Sequence, residues 1–159
     1  MKLLIELIIY CIIFTVLVRF FAGDSPLDCL YFYPQEVQEK VYELKLADRE
    51  AISGKRKTFL IVFVSVMAVL LVIIIRYVNG VHDFWTAYLQ SLLFLEVMNW
   101  YDGIVIDKIW VANDSFWLIE EVKDIPYVQT WKQVFKKRGM LSVIWIVCSL
   151  ITAAVITIL

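Results

Sequence analysis

Long apolar runs alternate with two polar stretches along the chain, and this pattern sets the expected architecture. Residues 3–22, 59–78, 84–106 and 140–159 are mostly apolar. Each reaches the ~20 residues that a helix needs to cross a hydrocarbon layer ~30 Å thick. Charges concentrate in residues 23–58 and 107–139, with a tight connection at 79–83. The pattern predicts an all-α integral membrane protein, one membrane domain over residues 1–159, with four transmembrane helices and two amphipathic helices on the cytoplasmic side.

Those two amphipathic helices are expected in the polar stretches. In the first, Gly23-Asp-Ser-Pro26 and the aromatic cluster Leu30-Tyr-Phe-Tyr33 lead to Pro34, which suits a first helical turn. Val37, Val41 and Leu44 then recur at helical spacing, so a helix with one apolar face is expected to about Ala47. Residues 52–57 read as a flexible basic tether anchoring the chain at the headgroups. In the second stretch, residues 116–122 suit an extended segment, and Asp124-Ile-Pro126 announces an interfacial helix. Tyr127, Val128, Trp131, Val134 and Phe135 lie on one side of it, with Lys132, Lys136, Lys137 and Arg138 as lipid-facing cations. It is expected to run into the last span.

Composition supports the class: 62% of residues are hydrophobic and the mean hydropathy is +0.77, far from the soluble average. The net charge of −1 gives no case for nucleic acid. Its distribution does more. Of the 15 Lys and Arg residues, all but Lys2 and Arg76 fall on the side of the two larger loops. That asymmetry predicts cytoplasmic loops, outward-facing termini and a plasma-membrane location. It also predicts contact with anionic headgroups on the cytoplasmic side. The first run resembles a signal peptide in position only, because Glu6 interrupts its start and Arg19 stands where a cleavage region is small and neutral; it reads as a retained span.

Candidate chemistry lies in the third run. At about 100° per residue, Glu96, Asn99, Gly103 and Asp107 share a stripe roughly 80° wide, flanked by Trp100 and Trp110. Glu96 falls some 18 Å into the segment, where a carboxylate is costly and calls for a reason. Asp102 and Asp107, five residues apart, lie about 140° from each other on an α-helix, so they meet only if the helix breaks near Gly103. Glu6 and Arg76 are a possible ion pair at the outer ends of the first two spans. Arg19 can snorkel to headgroups or reach Asp102. His82 is the only histidine, so a His/Cys metal site is not expected, no cofactor is called for, and no catalytic residue can be named.

Three functions fit this polar seam. It can hold together a non-enzymatic membrane component, an accessory or assembly subunit working as a homo-oligomer or within a larger complex. Glu96 can instead serve a proton- or cation-linked transporter or channel subunit built from several copies. Finally, Asp102 and Asp107 can bind a divalent cation and a lipid phosphate in a lipid-modifying enzyme at the cytoplasmic edge.

The runs Tyr31-Phe-Tyr-Pro-Gln-Glu-Val-Gln-Glu39 and Asn99-Trp-Tyr-Asp-Gly-Ile-Val-Ile-Asp-Lys-Ile-Trp110 resemble those of small four-span membrane proteins of Firmicutes. Those proteins carry a Tyr-Pro-x-x-x-Gln-Glu loop and an Asn-x-x-Asp-x-x-x-x-Asp-x-x-Trp segment. The resemblance implies the four-span topology and singles out Asn99, Asp102, Asp107 and Trp110. It implies no activity.

Overall fold

The computed structural model describes all 159 residues, and its regular structure is entirely helical. Helix α1 spans Lys2–Ala22, α2 Gln35–Glu43 and α3 Arg49–Val72, the last continuing as π-helix through Ile73–Val78. Helix α4 spans Phe84–Tyr101 and runs on through a π-helical segment, Asp102–Trp110, to a last turn at Val111–Asn113. Helix α5 covers Trp131–Ile158.

Three of these are long and apolar enough to cross a membrane: α1, α3 with its π-helical end, and α5. Helix α4 with its extension is comparably long, but Gln90, Glu96 and Asn99 dilute its apolar character. It packs antiparallel along most of α5 and also against α1. Tyr10 and Phe14 of α1, Met67 and Leu71 of α3, Phe94 and Met98 of α4, and Ala153 of α5 share one core. Apolar side chains such as Leu4, Ile61, Val64, Val143 and Ile151 face outward, an outside that hydrocarbon suits better than water.

At one end of the bundle the two polar stretches fold over each other. Cys29, Leu30, Val37 and Val41 of the first meet Trp117, Ile119 and Val122 of the second, with Ile52 of α3, in a second core. Tyr33 Oη donates to the Trp117 carbonyl at 2.9 Å across this junction. Leu44, expected on the buried face of α2, is exposed, because α2 ends at Glu43 and the chain turns through Lys45 at a positive φ of 58°.

Residues 52–57 are not a tether. They are helical, because Asp48 caps α3 by accepting from the Ala51 N–H at 2.8 Å and the span's helix therefore begins at Arg49. Residues 116–122 are not extended but form two 3₁₀ turns, Ser115–Trp117 and Glu120–Val122, the first capped by Asp114. The helix expected after Asp124-Ile-Pro126 starts instead at Trp131, where Thr130 and Gln133 form a reciprocal capping box. It runs without interruption past Gly139 into the last apolar segment, as expected.

Candidate functional site

The polar positions of α4 are assembled by a change of helical period. From Asp102 the backbone bonds close at i→i+5, as in the Val111 N–H bond to the Ile106 carbonyl. Residues five apart then stand about one turn apart instead of across the helix. Asp102 and Asp107, which an α-helix would separate, consequently reach the same partner: Arg138 Nη1 donates to Asp102 at 2.6 Å and Nη2 to Asp107 at 2.5 Å. Lys137 adds a contact to Asp107 at 3.2 Å. No break at Gly103 is needed.

Gly103 has a different task. A Cβ built there would lie 2.8 Å from Arg138 Nε and 3.0 Å from both Arg138 Cγ and Val134 Cγ1. The absent methyl is the space through which the arginine crosses. Arg138 is 2% exposed, so its position among the lipid-facing cations is corrected. Val134 is fully buried, and one helical turn later Arg138 falls on the same face. A buried guanidinium is tolerated only when its donors are engaged by good partners, and two carboxylates with charge-assisted bonds supply them.

The network continues one turn deeper. Asn99 Nδ2 donates to the Arg138 carbonyl at 3.1 Å and to Ser142 Oγ at 3.3 Å, while Ser142 donates to Glu96 at 2.8 Å. Glu96, Asn99, Asp102 and Asp107 thus face α5 of the same chain. Glu96 is half-buried, with the Ser142 hydroxyl as its partner and no cation within ion-pair distance.

The remaining expected residues lie apart from this network. Trp100 packs on Phe135, and Trp110 donates its indole N–H to Asp114 at 2.9 Å while stacking edge-on against Trp117. Lys132 and Lys136 are exposed on α5. Glu6 and Arg76 do not pair: Glu6 accepts from Asn79 at 3.0 Å and lies 3.8 Å from Lys2, whereas Arg76 meets His82 at 2.9 Å. The turn at 79–83 brings these nearer partners to each group. Arg19 bonds the Gly23 carbonyl and lies 5.0 Å over the Phe116 ring, not at Asp102.

Beside the charged network lies a cavity of about 340 Å³. Its walls come from α1, α3, α4 and α5 and from both loops; they are mostly apolar, with Asn99, Asp102, Asp107 and Arg138 along one side. In the loops, burial pushes the Cys29 thiol up to about 12, leaving it an apolar packing group rather than a nucleophile. The Phe116 N–H and the Trp110 indole hold the Asp114 carboxyl below its ordinary value. The pairing of Arg138 with the two aspartates, its neighbour Ser142 and the packing role of Gly103 were not foreseen from the sequence pattern; the repeat of Val134 and Arg138 at i and i+4 is the signal that could have placed the arginine on the buried face. No family model, curated protein or solved structure matches the chain.

Proposed function

We propose that this chain is a four-span, non-enzymatic component of the plasma membrane, an accessory or assembly subunit whose α4 is held in place by a polar clasp to α5. The observation that carries this reading is the commitment of both aspartates to one buried arginine. A divalent cation would have to compete with that guanidinium for Asp102 and Asp107, which weighs against the lipid-modifying alternative. The clasp also gives a reason for α4, which is not among the helices apolar enough by composition to cross a membrane, to sit as a fourth span. The basic bias of the two loops supports a cytoplasmic position for the loop end of the bundle and outward-facing termini. The resemblance to small four-span proteins of Firmicutes agrees with that topology.

Glu96 favours a second reading. A half-buried carboxylate with a hydroxyl partner and no cation beside it is the kind of group that a proton- or cation-linked transporter or channel subunit acting as an oligomer would carry.

Thermal stability and oligomeric size of Glu96→Gln and Asp102→Asn, measured in lipid nanodiscs across pH and with added Mg²⁺, separate these readings. The structural reading predicts a loss of stability in Asp102→Asn with no Mg²⁺ response in the parent. A pH response that vanishes in Glu96→Gln, with stability kept, selects the transporter. Stabilisation of the parent by Mg²⁺ that Asp102→Asn abolishes selects the enzyme.

A further inference from the structure

The cavity beside the clasp opens between α3 and α5, which meet only sparsely. Leu60 and Val64 of α3 line it and are at the same time exposed on the bundle's outer face, so its mouth lies on the surface that hydrocarbon would cover. Each helix bordering the gap carries the same pattern. On α3, Lys57, Leu60 and Val64 fall on one stripe about 60° wide; on α5, Lys137, Leu141 and Trp145 fall on one about 80° wide. In both, a cation stands one turn towards the loop end from the apolar lining. Lys57 is exposed and Lys137, also a lining residue, keeps 44% of its side chain exposed despite its contact with Asp107.

Buried polar atoms without partners line the cavity, one of them the acceptor Asn99 Oδ1 and the others donors. Trp117, Trp145 and Arg138 each line it and each carries a buried N–H that finds no partner within the chain; Trp117 and Arg138 are both 2% exposed. Unbonded donors of this kind cost stability unless a ligand supplies oxygens. The volume is at the low end of the ~300–1,000 Å³ typical of small-molecule sites, room for part of a lipid rather than all of one.

We propose that this cavity binds an anionic glycerophospholipid, one acyl chain entering sideways between α3 and α5 and the phosphate lying between Lys57 and Lys137. Ester and phosphate oxygens then meet the unbonded indole N–H groups of Trp117 and Trp145, and the second acyl chain stays in the bilayer. Basic pockets between membrane helices favour anionic headgroups for this reason. The binding goes beyond the structural role of the clasp, whose Asp102, Asp107 and Arg138 form part of the wall of the same cavity.

Native mass spectrometry of the full chain in detergent micelles, titrated with phosphatidylglycerol or phosphatidylcholine of matched chains, tests the proposal. The parent is expected to retain phosphatidylglycerol more tightly. Lys57→Gln should reduce that preference by about fivefold, the effect of one cation near an anionic headgroup. Val64→Trp should remove binding of both lipids by filling the mouth, and Leu141→Trp should repeat the result from the other helix; an unchanged circular dichroism melt shows that each variant is folded. Equal retention of the two lipids by the parent overturns the headgroup assignment. Undiminished binding in both folded tryptophan variants overturns the site. Competition by millimolar inorganic phosphate that strips the lipid also contradicts the proposal, since it would mean a phosphate site with no need for the acyl chain.

Discussion

At Gly103 a hydrogen in place of a methyl sets how closely α4 and α5 approach. Alanine would relieve the helix of up to ~1 kcal/mol of glycine's conformational cost. Against this, its Cβ would press on Arg138 Nε at 2.8 Å and on Val134, and overpacking of a tight interior costs ~1–3 kcal/mol. The clash wins. Gly103→Ala is expected to lower the melting temperature, and Gly54→Ala, where no atom lies within 4 Å of the added carbon, to raise it by the equivalent of ~0.5–1 kcal/mol. Melts of the two variants in the same detergent check both signs; a gain at Gly103 would mean that the arginine can cross elsewhere.

At the level of elements, the end of α4 depends on Asp114, which caps the following 3₁₀ turn and receives the Trp110 indole. The sign of its pH effect follows from its lowered folded value. Above the ordinary carboxylate range, near 3.9, both states are ionised and the folded state favours the anion, so the stabilisation is complete. As the pH falls below that range the unfolded chain takes up the proton first, and the benefit is lost as the pH passes through the depressed folded value. The difference in melting temperature between the parent and Asp114→Asn is therefore expected to be largest near neutrality and to shrink below about pH 4, followed by tryptophan fluorescence. A difference constant with pH would remove the carboxylate from the account. Much of the element pattern was legible in the sequence: the four apolar runs are helices, and the tight connection at 79–83 ends where Asp83 caps α4 through the Thr86 N–H at 2.9 Å. What was not legible depended on neighbours. Residues 52–57 are rich in small and charged side chains, yet a cap at Asp48 and the long helix behind it draw them into α3. The convergence of Asp102 and Asp107 was out of reach because a calculation at 3.6 residues per turn cannot foresee a π-helical stretch.

For the molecule as a whole, the long apolar helices supply the membrane-compatible outside, the two loops close one end, and the clasp decides which face of α4 turns inward. Sequence periodicity found the seam of Glu96, Asn99 and Asp107 but assigned Arg138 to lipid, since charge alone argues for the surface and only its spacing from Val134 argues otherwise. The central claim is that the arginine and its two aspartates form a structural unit. Its most direct measurement is the unfolding free energy of Arg138→Met beside that of the triple variant Arg138→Met, Asp102→Asn, Asp107→Asn. Removing the cation alone leaves two carboxylates facing each other without it and is expected to cost ~3–5 kcal/mol, whereas neutralising all three should recover most of that loss. A single variant as stable as the parent, or a triple variant no better than the single one, would contradict the clasp.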